Sequence, residues 1–318
     1  MKIAVLGTGV IGGILGACLI KKGHDVVLID ASRARLKQLK ETGLRIKDPK
    51  NLIGGDFQVK TGALFDPSQE WDGSFPEALF VSVKACVLKD TLALAGKICG
   101  PETLAVSFQN GLDTEEIMAR RLGRKNVFRA VINYAGKLLE DGAVEVGFFV
   151  KPNYVGILDE KSQANAQKLA AILTETGLDT QFSPEIIKHV WEKVILNSAM
   201  SPLSALTGLT MRDVMDLPHL YGVVEGITRE GIGVAAANGI RFQENFFDQC
   251  MTYLNKGGRH KPSMLVDVEA GRKTEIEFLN GKICEYAETR GLGAPYNQTI
   301  TALIKGLETK IANGPGAA

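Results

Sequence analysis

The stretch PEIIKHVWEKVILNSAMSP, from Pro184 to Pro202, carries Lys193, Asn197 and Ser201 at intervals of four. On a helix that interval stacks side chains in a row that drifts about 40° and rises about 6 Å per step. An ammonium beside an amide and a hydroxyl can orient a polar substrate, stabilise charge developing on oxygen and give up a proton. Taken alone, the row also reads as a lysine reaching for water beside two core polar groups. The spacing predicts a helix with Ser183 as N-cap, Pro184 just inside its start and Pro202 at its far end. Ile186, Ile187, Val190, Trp191, Val194, Ile195 and Leu196 are too many for one narrow stripe, so most of its circumference should be buried.

A second constellation lies near residue 1. The apolar run over residues 2–6 enters Gly7-Thr8-Gly9-Val10-Ile11-Gly12, a predicted helix over 10–22 follows with Gly23 as its cap, and a strand over 26–29 ends in Asp30. This is the dinucleotide fingerprint in its strand–turn–helix–strand context. Gly7 permits the tight turn, Gly9 the approach of a pyrophosphate, and Gly12 close helix–strand packing. Asp30 stands 18 residues after Gly12, close to where an acid would hold the adenosine ribose hydroxyls. A carboxylate there repels a 2′-phosphate, which favours NAD(H). Arg33, with Ser32 beside it, keeps NADP(H) open.

The elements that must position these groups divide the chain in two. At 318 residues it exceeds one typical core. Short strands alternate with helices up to about Ser183, predicting an α/β domain over 1–183. Helices are predicted over 32–42, from after Cys86 to about 99, and over 161–176, and strands over 79–83, 104–108, 127–132 and 178–182. Residues 44–60 read as irregular with strand-like pieces and a Gly54-Gly55 turn, and 144–149 with 154–157 as paired closing strands. Ligands of open parallel sheets sit beyond the carboxyl ends of the strands. That rule puts Gly7, Asp30, Lys84, Asn110 and Asn133 on one rim. Lys84 also reads as an exposed loop lysine, and Asn110-Gly111 as a plain turn.

From Pro184 onward the period is helical, predicting an all-α domain over 184–318. Its helices are expected over 211–215, 221–238, 243–254, from 262, over 274–290 and over 297–312, with Asn297 as the last N-cap. The Gly/Pro/Ala-rich tail over 313–318 reads as disordered. A substrate is expected in a cleft where it can meet the nicotinamide.

Composition excludes several classes. A formal net charge of +1 without a basic block points to neither nucleic acid nor an anionic membrane. The 5 cysteines are dispersed without a CxxC pair, and the 4 histidines lack metal-ligand spacing, so no metal site is expected. No apolar run approaches a membrane span, and no leader is expected before the first strand, so the expected location is the cytoplasm.

Several segments together resemble the ketopantoate reductase family, over nearly the whole chain. They are GTGVIGG, VKA at 83–85, QNG at 109–111, WEKVILNSAMSPLSAL at 191–206, and PSML followed by GRKTEIEFLNG at 262–281. The resemblance implies a Rossmann-type dinucleotide-binding domain, then a helical domain like that of 6-phosphogluconate dehydrogenase. It also implies NAD(P)H-dependent reduction of 2-dehydropantoate to (R)-pantoate. By position, Lys193 matches the catalytic proton donor, Glu275 its accompanying acid, and Asn110 an asparagine near nicotinamide and substrate. Asn197 and Ser263 match substrate-binding positions, and Lys84 a lysine near the cofactor.

Three positions depart from the family pattern. Ser201 and His260 stand on the substrate side where asparagines are common, and Ala31 stands where many members carry an arginine for the NADP phosphate. The first two leave the exact keto acid open, and Ser201 with Asp30 favours a related NAD-dependent 2-hydroxyacid dehydrogenase of D-mandelate type as the alternative. A regulatory protein that binds dinucleotide without turnover has no use for the Lys193–Asn197–Glu275 set. The apolar faces of the helical half permit a homodimer.

Overall fold

The structure is a computed structural model that describes residues 1–71 and 73–313; the tail read as disordered lies, from residue 314, outside the described residues. The chain forms two compact units. One comprises Met1–Gln109 and Asp113–Ile186, the other Asn110–Leu112 and everything from Ile187. The sequence reading, which put the whole of 1–183 in the first domain, did not separate out that tripeptide.

The first unit opens with β1 (Lys2–Leu6), α1 (Val10–Lys21), β2 (Asp25–Ile29) and α2 (Arg33–Thr42). Then come β3 (Leu44–Lys47), β4 (Phe57–Val59), β5 (Leu64–Phe65), β6 (Ala78–Val81), a 3-10 turn at Ala85–Val87, and α3 (Leu88–Ile98). β7 (Leu104–Ser107), α4 (Thr114–Leu122), β8 (Val127–Val131), β9 (Tyr134–Leu138) and β10 (Val144–Phe149) follow. β11 (Asn153–Ile157), α5 (Gln163–Glu175) and β12 (Thr180–Phe182) complete it.

Its main sheet has 8 strands in the order β12-β11-β8-β7-β6-β1-β2-β5. All neighbours are parallel except β11 against β8. Ile3, Val5, Ala78 and Phe80 pack into the core on one face, and Ala4, Leu6, Leu79 and Val81 into that on the other. Burial on both faces is why these strands read as unbroken apolar runs.

The strand-like pieces of residues 44–60 are β3 and β4, which belong to a second sheet of 4 strands, ordered β4-β3-β10-β9. One sequence expectation fails here: residues 144–149 and 154–157 do not pair. β10 joins β9 and β3, whereas β11 joins β8 and β12 in the main sheet. The Val150-Lys151-Pro152 link offers no glycine or asparagine for a tight hairpin, and Pro152 has no N–H to close one. Instead Asn133 bridges the strands: its N–H donates to Asn153 Oδ1 at 2.8 Å and its Nδ2 to the Pro152 carbonyl at 2.6 Å. The sequence reading also lacked α4.

The second unit is helical: α6 (Ile186–Thr207), α7 (Met211–Asp216), α8 (Pro218–Ala237), α9 (Phe246–Asn255), α10 (Ser263–Glu269), α11 (Asn280–Thr289) and α12 (Pro295–Ala312). α6 starts later than expected. Ser183 Oγ accepts from the Glu185 N–H at 3.2 Å, so it caps a turn ahead of the helix. α6 also runs through Pro202 rather than ending there. Residues 274–290 are not one helix: a 3-10 turn at Ile276–Phe278 precedes α11, and Leu279 between them leaves helical geometry with ψ −104°. The Phe278 carbonyl, which a continuous helix would use internally, accepts the Leu112 N–H at 2.9 Å. Asn297 is not the N-cap of α12 but lies fully buried in its first turn. Glu230 of α8 accepts the N–H groups of Tyr296 at 2.8 Å and Asn297 at 2.9 Å, an anion placed where the helix dipole favours one.

Candidate active site

At the carboxyl end of β1 the backbone turns at Gly7, whose φ of +94° suits glycine, and the Gly7 N–H donates to the Ile29 carbonyl at 2.8 Å. A Cβ on Gly12 would fall onto the Gly7 carbonyl oxygen and the Ser82 hydroxyl, so the α1 N-terminus can seat on the turn only with glycine there. Beyond Gly9 a Cβ would meet open space. No side chain caps α1, and its first turn carries no acid. The amides of Val10, Ile11 and Gly12 therefore point out of the helix start without an intrahelical acceptor. These features fit a pyrophosphate, which needs N–H donors and close backbone approach.

Asp30, after β2, is held on both oxygens. Its Oδ2 accepts the Thr8 N–H at 2.8 Å and the Thr8 hydroxyl at 2.6 Å, and its Oδ1 accepts the Ser32 N–H at 2.9 Å. Ser32 also caps α2, accepting from the Arg35 N–H at 3.2 Å. Arg33 is ion-paired with Asp66 at 3.0 Å. Arg35 folds over the turn, with Nε to the Thr8 carbonyl at 3.2 Å. Burial disfavours its charged form, and Asp30 opposes that effect.

Lys84 follows β6 on the same rim, at the start of the 3-10 turn. Asn133 follows β8, but its amide is spent on Pro152, so it serves the junction between sheets rather than a ligand. At the end of β7 the chain is fixed by a buried polar cluster. Arg129 donates to the Ser107 hydroxyl at 2.9 Å and pairs with Glu115 at 3.4 Å, while Ser107 Oγ reaches Thr114 Oγ1 at 2.8 Å and Gln109 Oε1 at 3.2 Å. Burial pushes the Glu115 carboxyl up, with Arg129 pulling the other way.

In the second unit, Val190, Trp191, Val194, Ile195, Ala199 and Met200 are buried, which leaves Lys193 and Asn197 half-buried and Ser201 buried along one line of α6. The line begins a turn earlier, at half-buried His189, whose Nδ1 lies 2.8 Å from Glu192 Oε2. Packing fixes α6 from two sides. The Trp191 and Tyr286 rings meet edge-on with centroids 5.2 Å apart, and a Cβ on Gly231 of α8 would stand 3.0 Å from Ile195.

Glu275 is buried at the entrance to the 3-10 turn, and its carbonyl accepts the Phe278 N–H at 3.0 Å. The neighbouring Thr274 is held by Glu308 of α12, which accepts its N–H and its hydroxyl at 2.7 Å each. Asn110 reaches this turn through its successors. Gly111 has φ +100° and packs so tightly on Phe278 that a Cβ would come within 2.8 Å of the Phe278 carbonyl oxygen. Asn110 and Glu275 are thus anchored to one short segment. Ser263 is exposed at the start of α10, and exposed His260 accepts the Met211 N–H at its carbonyl at 3.4 Å. The sequence reading missed the Gly111–Phe278 clamp and the buried amides of Asn280 and Asn297. The signal for the amides was Pro202 inside an apolar helix, which leaves a carbonyl in need of a donor.

Among the described residues no helix is long and apolar enough to cross a membrane, and no group of three or more His, Cys, Asp or Glu side chains could hold a metal ion. The cysteines are free, and burial pushes the thiols of Cys18, Cys99 and Cys250 up to about 12.

A nucleotide-binding parallel sheet followed by a helical unit bearing a lysine–amide–hydroxyl row defines an oxidoreductase of two-domain dehydrogenase build. The chain belongs to the ketopantoate reductase family. Residues 3–159 match the family model described as ketopantoate reductase PanE/ApbA, and residues 185–308 match its C-terminal model. It is an NAD(P)-dependent oxidoreductase acting on CH–OH groups. A 2-dehydropantoate 2-reductase of Pyrococcus horikoshii is 30% identical over 310 residues, covering 97% of this chain and 98% of that one. That of Archaeoglobus fulgidus is 30% identical over 314 residues, covering 97% and 98%. Among solved structures, D-mandelate dehydrogenase with NADH and anilino(oxo)acetate superposes with a TM-score of 0.89 at 26% identity, covering 98% of this chain and 99% of that one. The 2-dehydropantoate 2-reductase of Methylococcus capsulatus gives 0.85 at 27% identity, covering 100% of both chains.

Proposed function

We propose that this protein reduces 2-dehydropantoate to (R)-pantoate, using NADH in preference to NADPH. The observation that carries the reading is the α6 line of Lys193, Asn197 and Ser201, held by apolar packing on its other faces. When bound, the nicotinamide supplies a hydride to the carbonyl carbon of the 2-keto acid. Lys193 stabilises the negative charge that develops on the carbonyl oxygen and donates the proton that completes the alcohol. Glu275 supplies a charge complementary to that ammonium. Asn110, Asn197, Ser201 and Ser263 orient the substrate with neutral donors and acceptors, adding no net charge beside the reacting oxygen, and His260 stands with them on the substrate side.

In the first unit, the Gly7–Gly12 turn and the α1 amides take the pyrophosphate, and Lys84 lies at the cofactor rim. The preference for NADH is supported by Asp30, fixed by Thr8 and Ser32, and by the pairing of Arg33 with Asp66. A 2′-phosphate would meet the fixed carboxylate, and its best nearby cation is already engaged.

A second reading is a 2-hydroxyacid dehydrogenase acting on another 2-keto acid. It is favoured by the likeness to D-mandelate dehydrogenase and by the short side chain of Ser201 in the row. The deciding experiment measures kcat/KM for 2-dehydropantoate and for bulky or branched 2-keto acids, each with NADH and NADPH. The first reading expects 2-dehydropantoate to lead. A preference above about tenfold for another acid overturns it in favour of the second. Dispersed free thiols support a cytoplasmic location, and we read the helical unit as the dimerisation surface, which sedimentation would test.

A further inference from the structure

Pro202 lies inside α6, where its nitrogen has no hydrogen to give the carbonyl four residues back, that of Ser198. The helix continues because another group takes over. Nδ2 of Asn280, the first residue of α11, donates to the Ser198 carbonyl at 3.1 Å, with Ser198 and Asn280 both fully buried. The same nitrogen donates to Asn297 Oδ1 at 3.0 Å, and Asn297 Nδ2 donates to Glu230 Oε2 at 2.8 Å.

This chain of contacts has a direction. Glu230 already accepts two backbone N–H groups, so its carboxylate faces the amide nitrogen of Asn297 and not its oxygen. Asn297 must then turn its oxygen to Asn280, and Asn280 must turn its nitrogen to Asn297 and Ser198. One carboxylate on α8 thus decides which end of a buried amide meets α6. The carbonyl it meets belongs to the residue directly after Asn197 and one turn before Pro202, between the second and third members of the polar row.

We propose that Asn280 is a positioning residue for the reaction: it restores in side-chain form the hydrogen bond that Pro202 removes, and so sets the aim of Asn197 and Ser201. The proposal rests on the reading of that row as substrate-binding.

The test compares the wild type with Asn280→Ala, Pro202→Ala and the double variant, by amide hydrogen exchange across α6 and by kinetics on 2-dehydropantoate. Asn280→Ala should speed exchange of the amides around 198–206 and lower kcat/KM, each by at least about tenfold, with the dissociation constant for NADH unchanged within about twofold. Pro202→Ala supplies a backbone N–H to Ser198, so the double variant should recover to within about threefold of Pro202→Ala alone in both readouts. Independent, multiplying effects overturn the proposal. So does an Asn280→Ala variant whose melting temperature falls while kcat/KM holds. If Asn280→Ala does not fold, Glu230→Gln carries the test. Its amide lets Asn297 and then Asn280 turn over, and the same two readouts should shift in the same direction; unchanged values overturn the proposal. If the wild type turns over no 2-keto acid, the reading of function fails, while the exchange data still decide the coupling of Asn280 to Pro202.

Discussion

The backbone N–H of Leu112 donates to the carbonyl of Phe278 at 2.9 Å, so the segment that carries Asn110 and the turn that carries Glu275 share one hydrogen bond. Gly111 between them packs its bare Cα on Phe278 at φ +100°. Gly111→Ala forces a side chain into both an unfavourable backbone region and an occupied space. It should cost about 2–4 kcal/mol of stability, read by urea unfolding. At a temperature where the variant stays folded, kcat should still fall by about tenfold or more. A variant with unaltered turnover would show that the position of Asn110 does not depend on this clamp.

Lys193→Ala should lower kcat by at least about 100-fold, the usual scale of general acid catalysis. Dissociation of NADH, read by fluorescence titration, should not change. Equal reductase rates for wild type and variant would remove Lys193 from the chemistry.

The proposed preference for NADH rests on Asp30. Asp30→Ala removes the carboxylate that the Thr8 N–H, the Thr8 hydroxyl and the Ser32 N–H now hold, and frees those donors for a phosphate. The ratio of kcat/KM for NADPH to that for NADH should rise by about tenfold or more, equivalent to about 1.4 kcal/mol. A ratio that stays put would move the discrimination elsewhere, and the pairing of Arg33 with Asp66 would be the next contact to break.

The thiols of buried Cys18 and Cys250 and of half-buried Cys99 give a pH prediction. Burial moves Cys18, Cys99 and Cys250 from the ordinary 9.0 to about 12. The folded protein keeps these protons above pH 9, where the unfolded chain gives them up. Their contribution to stability is therefore complete below pH 9 and is lost as pH rises toward 12. Iodoacetamide labelling followed by peptide mass spectrometry should show these three cysteines reacting at pH 8 at least about 100-fold more slowly than in urea. Rapid labelling of any of them in the folded protein would contradict the shielding.

Much of this was legible in the sequence because it is local. The Gly7–Gly12 turn, Asp30 and the four-residue spacing of Lys193, Asn197 and Ser201 each follow from a few neighbouring residues. What escaped depends on partners far along the chain. α6 passes Pro202 because Asn280 serves the Ser198 carbonyl, and Glu275 opens a short turn because Phe278 gives its carbonyl to Leu112. α4 begins after Asp113, a non-glycine residue at φ +65°, where no capping side chain announces it. Asn297 looked like a cap because asparagine before a helix usually is one, yet Glu230 of α8 fills that role.

The grouping of Asn110–Leu112 with residues from Ile187 onward makes the helical unit discontinuous along the chain. As the polypeptide leaves the ribosome, this tripeptide appears early, and the Phe278 carbonyl that receives it only after β8 to α10 have been made. Closing so long a loop is entropically expensive and slow, so the clamp should be among the last contacts to form. A fragment that starts after β12 would lack the piece that finishes the Glu275 turn, which makes completion of the proposed site a late checkpoint of folding the entire chain.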